Sequence, residues 1–401
     1  MALDVSVTEA LKVHYTDDAM RDMVYKDQPL LALLPKDTKF GGLNLPVPII
    51  HGNPQRRSHN FTVAQDNTST SALKQFILTR KKDYSLATIT GEAIEASRSD
   101  ADAFMRYATM EIDGAIHSLK RSLGVSLYRD GTGAIGKASV TAANPTSVTL
   151  QTPAEIVNFE VGMVIVAADG SGAPRNAAGA SIETINREAG SFTCGNTLGS
   201  VVAGDNFYVK GDYTSGATKL KLTGLDAYVP ATSAAAATTL HGCVRAADVT
   251  RLGGQRSDGT TKPIEEALID GMVLVAREGG RPSHIFCDFV TYANLEKALG
   301  SKVQYVTADS PIADIGFDGI RIHGPTGTVK VIPDVNCQPN VAWILQMDTW
   351  KLHSLGECPR ILQLDDQRML RQSNADAYEV RVGYYAELAC SAPGFNCRVA
   401  L

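Results

Sequence analysis

No two of the seven cysteines stand two residues apart. Cys194, Cys243, Cys287, Cys337, Cys358, Cys390 and Cys397 are scattered singly, a spacing that suits neither a zinc ribbon nor a redox dithiol. They read as buried, reduced thiols acting as small hydrophobes. The eight histidines also stand alone, without H-E-x-x-H or H-x-H spacing, and there is no G-x-S-x-G elbow. Glu265-Glu266 and Asp365-Asp366 are adjacent pairs, which point apart on a helix or strand and so make poor working pairs of carboxylates. No apolar run is long enough to span a bilayer. The opening "MALDVSVTEALKVHY" carries Asp4, Glu9 and Lys12, where a signal peptide would be basic and then apolar. The sequence therefore predicts a cytoplasmic origin, no membrane partner, no catalytic residues, no metal and no cofactor. A formal net charge of −5 argues against a surface built wholly to hold nucleic acid.

What is present is an ordinary folded composition, 44% hydrophobic and 20% charged over 401 residues, enough for two or three domains with real cores. The stretch "GTGAIGKAS" (131–139) matches G-x-G-x-x-G and falls one hydroxyl short of a phosphate-binding loop, because Ala138 follows Lys137. Either motif must leave a strand and open a helix. Here a helical pattern comes before and a β-rich pattern after. Gly131, Gly133 and Gly136 are read as a helix stop and a flexible linker.

Along the chain, residues 1–60 have apolar residues but little periodicity, and must lie against something else. Thr16-Asp17-Asp18 suits a helix cap before "AMRDMVYKD", while "GGLNLPVPIIHGNP" has too much Gly and Pro for a long regular element. From 61 to 95, "NFTVAQ" and "FILTRKKDYSLATIT" read as two strands of a long hairpin turned at "DNTSTS", with Arg80, Lys81 and Lys82 partway along. Such a hairpin is marginal alone and needs a receiving surface. Phe104, Ala108, Ile112, Ala115, Ile116, Leu119, Leu123 and Leu127 then recur every three or four residues, one face of a long helix capped by Ser97 or Ser99 beside Asp100 and Asp102.

Residues 139–223 alternate short strand candidates ("SVTLQ", "MVIVAA", "SIETINRE", "SFTCG", "NFYVKGD") with turns, which suggests a small barrel or sandwich. "ATSAAAATT" reads as a flexible joint. After residue 242, helices ("KPIEEALIDGMVLVAREGG", "FVTYANLEKALG") and strands ("SHIFCD", "IRIHG", "VKVIPD", "VAWILQM", "WKLHSL", "YEVRVGYYAELAC") make an α+β body with a mixed sheet.

This order of parts resembles the major capsid proteins of tailed bacteriophages with the Hong Kong 97-type fold. "LYRDGTGAIG" (127–136), "GFDGIRIHGPTG" (316–327), "MDTWKLHSLG" (347–356) and "CSAPGFNCRVAL" (390–401) are phrases similar to theirs. The resemblance implies an N-terminal arm (1–60), an extended E-loop hairpin (61–95) and a spine helix with linker (96–138). It further implies a β-rich insertion domain (139–223), a linker and peripheral strand (224–250), an axial domain with peripheral strands (251–360) and C-terminal strands (361–401). It also implies self-assembly through hexamers and pentamers into an icosahedral virion shell around double-stranded DNA, made in the host bacterial cytoplasm.

Implied partners are identical subunits, a separate scaffolding protein, a portal and a decoration protein. Lys74, Arg80, Lys81, Lys82 and Tyr84 would carry the contact of the E-loop with its neighbour, the three basic residues facing acidic groups there. Phe104, Ile112, Ile116, Leu119 and Leu123 would pack the spine. Some relatives join a loop lysine to a neighbour's asparagine, for which Lys74, Lys81 and Lys82 are the candidates, though the sequence names no assisting acid. The rival readings are an encapsulin-like compartment shell and another phage structural subunit, such as a tail or decoration protein.

Overall fold

The periodic central segment forms one helix, Ala101–Tyr128, in the computed structural model of the chain, which describes residues 28–67, 69–92, 101–213, 219–299, 320–363 and 367–401. Ile112, Ile116, Leu119 and Leu123 are all buried along its inner face, as a spacing of three or four residues requires. The Phe104 side chain, the Ser97 or Ser99 cap and the helix expected after Thr16 lie outside the described residues. At the far end, the Tyr128 hydroxyl donates to the Asp334 carboxylate at 2.8 Å. Gly131 and Gly133, both at φ +88°, then turn the chain away. A β-carbon on Gly133 would lie 2.7 Å from the Asp212 carbonyl oxygen, so only glycine fits there.

The rest of the glycine stretch is not a linker. Ala134–Lys137 is a strand, and a β-carbon on Gly136 would come within 3.1 Å of the Phe159 ring. Close packing, not mobility, requires that glycine. The strand opens a six-stranded sheet that also holds Asn206–Val209, Val164–Ala168, Ala180–Asn186, Ser191–Cys194 and Ser147–Thr149, in that order. The amides of Ser139 and Gln151 bond the carbonyls of Thr149 and Lys137 at 3.0 and 2.8 Å, joining the last strand to the first and curling the sheet into a barrel. Phe159, Phe192 and Phe207 fill it, with ring centroids 5.1 to 6.2 Å apart.

The body has two further sheets. In one, the long strand Ala377–Cys390 runs beside Lys81–Thr90 on one edge and, on the other, pairs successively with Met369–Arg371, Arg360–Ile361 and Trp350–Ser354. Lys36–Asp37 adds a parallel edge strand to Trp350–Ser354, and Leu30 and Leu31 are buried nearby in the same core. This portion of the expected arm is thus bound into the body. In the other sheet the order is Gln255–Asp258, Cys397–Ala400, Val341–Leu345, His284–Cys287, Gly327–Pro333 and Ile320–Gly324. Val341, Trp343 and Leu345 face the core shared with the long helix, whereas Ala342 and Ile344 face the Ile264–Arg277 helix side. Burial on both faces explains why "VAWIL" is apolar throughout.

Two local readings are corrected. "NFTVAQ" is no strand: Phe61–Asp66 is a short helix capped by the Asn60 side chain, which accepts from the Thr62 amide at 2.9 Å. The partner of Ala72–Thr79 is instead Asn44–Gly52, running antiparallel from Asn44↔Thr79 to Gly52↔Ala72. Pro46 and Pro48 are tolerated because they lie two apart on a strand with a single neighbour, so their missing N–H groups fall on the free edge. The chain changes sheets at Arg80, between Ala72–Thr79 and Lys81–Thr90. "ATSAAAATT" is likewise ordered, with Thr232 capping a turn of helix at Ser233–Ala236. The buried Arg245 guanidinium ties that turn down through the carbonyls of Ala235 and Thr238.

The barrel is fixed to the body by an ionic node. Lys221 lies 2.7 Å from Asp83 and 2.8 Å from Asp212, and Ser122 of the long helix donates to Asp83 at 2.5 Å. Arg129 pairs with Glu155 at 2.6 Å, and Arg121 donates to the Val157 carbonyl at 2.6 Å. Replacing Lys221 by Met leaves two mostly buried carboxylates uncompensated. It is expected to destabilise the subunit by about 3–5 kcal/mol in urea unfolding, and adding Asp83→Asn and Asp212→Asn should recover most of that loss.

Candidate assembly interface

The ribbon of Asn44–Gly52 and Ala72–Thr79 is apolar on both faces. Ile49, Phe76 and Leu78 form its inner face and are buried. Phe76 meets Tyr228 edge-on at 5.5 Å, the Ile77 amide donates to the His241 carbonyl at 2.9 Å, and Arg251 donates to the His51 carbonyl at 3.0 Å. The outer face carries Pro46 beside Ile77 and Ile50 beside Leu73, with Ile50 63% and Leu73 58% exposed. Beyond it the Phe61–Asp66 helix buries none of its residues, and Phe61 is 76% exposed. Together these make a projecting apolar patch.

Arg80, Lys81 and Lys82 sit at the root of this ribbon, not along it, whereas Lys74 lies within the strand Ala72–Thr79. Arg80 donates to the carbonyls of Phe40 and Gly42 and lies 5.1 Å over the Phe40 ring. Lys81 donates to the Lys219 carbonyl, and Lys74 to the Val244 carbonyl. These three cations are therefore engaged within the chain rather than held out for acidic groups elsewhere. Lys82 is exposed. Tyr84 faces Tyr385 across paired strands, hydroxyl to hydroxyl at 3.4 Å, and that shared bond pushes the Tyr84 phenol up to about 12.

Beside Lys81 lies a carboxylate that sequence reasoning missed. Glu387 is fully buried in the long strand, accepting from the Thr223 and Leu388 amides at 2.8 and 3.3 Å. Burial pushes it up to about 8, only partly opposed by the Thr223 amide and the charge of Lys81. His241 is pushed down to about 4, first by burial and then by Lys219, Lys81 and Arg245. A lone glutamate in "YYAELAC" gives no sign of this, since the pattern there reads as a plain buried strand. The phrases that carried the family resemblance have structural roles. Asn396, buried in "CSAPGFNCRVAL", accepts from the Trp350 indole at 2.8 Å and the Gln346 amide at 3.0 Å, tying the last strand to "MDTWKLHSLG". None of the seven cysteines is in a disulfide, and all are buried. No group of three or more His, Cys, Asp or Glu able to hold a metal occurs among the described residues, and no helix there is long and apolar enough to cross a membrane.

The fold matches a solved structure, the cyanophage A-1(L) capsid asymmetric unit, with a TM-score of 0.56 at 13% identity, covering 93% of this chain and 92% of that one. The capsid of a native GTA particle (TM-score 0.49, 9% identity, 93% and 89% covered) and a Mycobacterium phage Ogopogo structure (0.45, 10%, 93% and 92%) are more distant. The architecture is that of the Hong Kong 97-type capsid proteins, mixed α+β with strands dominant. A family model described as SU10 major capsid protein matches residues 204–375, and no curated protein matches the sequence. The likeness to the cyanophage capsid structure is one of fold, and the family model matches residues 204–375, less than half of the chain.

The raised Glu387 value fixes a pH dependence. The folded state holds a proton on this carboxyl between its unfolded value of 4.5 and its folded value of about 8, so its contribution to stability falls as pH rises through that window. Glu387→Gln should flatten the decline in melting temperature between pH 6 and 9 and raise stability at pH 9 by about 1–3 kcal/mol. Thermal unfolding of both proteins across that range checks it.

Proposed function

We propose that the chain self-assembles through hexamers and pentamers into the icosahedral head of a tailed phage, enclosing double-stranded DNA and forming in the host bacterial cytoplasm. The observation that carries this reading is the ribbon, whose outer apolar face and tip helix find no cover among the described residues. In this reading the ribbon and its tip, residues 44–79, are the extended loop that reaches a neighbouring subunit, and Ala101–Tyr128 is the spine. The barrel is the insertion domain, standing apart on its own core of Phe159, Phe192 and Phe207. A scaffolding protein, a portal and a decoration protein are further proposed partners.

Physically, each buried aliphatic or aromatic side chain adds about 1.5–3 kcal/mol, and Ile50, Leu73, Ile77 and Phe61 give a contact of modest strength. Closed rings multiply it, since a subunit held by one neighbour meets the next at high effective concentration. Individually weak contacts also let a misplaced subunit leave. The net acidic chain avoids gripping a genome that must enter and leave.

Negative-stain microscopy of the purified protein should show closed angular shells; tubes or monomers alone would overturn the proposal. Ile50→Asp combined with Leu73→Asp should cut closed particles at least tenfold. Both residues are exposed in the subunit, so its melting temperature should stay within a degree or two. Unchanged particle yield would remove the ribbon from the interface.

A further inference from the structure

The inner face of the ribbon rests on a seat formed by Tyr228 and His241. That seat is fastened to the long strand at two adjacent residues. The Tyr228 hydroxyl donates to the Leu388 carbonyl at 2.6 Å, and the Thr223 amide to the Glu387 carboxyl at 2.8 Å. At the same joint Lys81, which opens the strand that the ribbon runs into, donates to the Lys219 carbonyl. Glu387 therefore lies where ribbon, seat and long strand meet. It is fully buried, and its second oxygen has no hydrogen-bond partner among the described residues. The groups around it are poor compensation for a negative charge. His353 lies directly opposite across the strand pair, and burial pulls its imidazole down. Tyr228 and Tyr384 are fully buried phenols, and burial also draws Lys219 toward its neutral form. The charge of Lys81 reaches Glu387, but its ammonium is committed to the Lys219 carbonyl. A carboxyl so placed keeps its proton, because burial penalises only the charged form.

We propose that Glu387 is a proton latch for the ribbon: its neutral acid keeps ribbon, seat and long strand together, and loss of the proton to water opens ribbon and seat as one unit. The ribbon is the natural unit to open first, since it meets the body by one face and leaves Ile50 and Leu73 in water. Opening lets solvent reach the carboxyl, which then ionises as an ordinary glutamate does. The open form loses its proton near 4.5 and the closed form only at about 8. The open population therefore rises about tenfold per pH unit between those values and levels off above them. The barrel, with its separate core, takes no part. The latch belongs to the single subunit and stands whether or not shells form.

Hydrogen exchange of the full-length, unassembled subunit tests this, read by mass spectrometry at pH 6, 7 and 8 with times scaled for the intrinsic rate. The peptides to follow contain Ile77 and Thr223, whose amides bond across the joint to the His241 carbonyl and to Glu387. Their protection should fall about fiftyfold from pH 6 to pH 8, while a barrel peptide over Val164–Ala168 changes less than twofold. Glu387→Gln, neutral at every pH, should make the protection of both joint peptides independent of pH. Lys81→Met provides a second reading that leaves Glu387 in place: without the cation, protection should go on falling above pH 8, where the native chain has levelled off. Unchanged protection across the range would overturn the latch, as would equal losses in the barrel peptide, a Glu387→Gln chain that behaves like the native one, or a Lys81→Met chain that levels off at pH 8.

Discussion

A two-stranded ribbon has two faces, and here both are apolar while the described chain covers only one. Ile49, Phe76 and Leu78 are sealed against Tyr228 and His241, which fixes where the ribbon leaves the body. Ile50, Leu73 and the Phe61 helix are left in water. An isolated ribbon would be marginal, so the inner contacts hold its direction. The outer surface is then a standing demand for a partner of similar chemistry. In the assembly proposed above, that partner is another copy of the chain.

The body supplies the rigidity this demand requires. The long strand Ala377–Cys390 is bonded on both edges, to Lys81–Thr90 along one side and to three short strands along the other. The ribbon continues directly into Lys81–Thr90 at Arg80, whose guanidinium clamps Phe40 and Gly42. A pull on the ribbon is thus delivered to the best-supported strand of the molecule. Around the same point lie Glu387, His241 and Lys219, all desolvated and all shifted toward their neutral forms. The root of the ribbon is held by packing and main-chain hydrogen bonds, with charge kept low. That differs from the charge-pair clamp that Arg80, Lys81 and Lys82 suggested, because each of the first two finds a carbonyl closer than any carboxylate among the described residues.

The barrel uses the opposite device. Its own core is complete, and the fastening is ionic: Lys221 between Asp83 and Asp212, and Arg129 to Glu155. Such pairs fix geometry more than they add stability. Gly131 and Gly133 allow the sharp exit from the helix that brings these partners together.

The sequence by itself determined what depends on local period. It marked the long helix from apolar residues every three or four positions, the five strands of 147–212 from alternation and turns, and "VAWIL" as a strand of the body. Family-like phrases pointed to the capsid fold because they encode fixed tertiary contacts, such as Asn396 under Trp350. Tertiary structure alone decided what depends on pairing across distance. Asn44–Gly52, rich in proline, became the partner of Ala72–Thr79, and "NFTVAQ" became a helix, because an edge strand tolerates missing donors and a capped tip needs no ladder. It also decided that Gly136 serves close packing, that Arg80 and Lys81 turn inward, and that Glu387 is buried without a counter-ion in bonding range among the described residues. None of these has a local signature, since each is set by which residues the rest of the chain brings alongside.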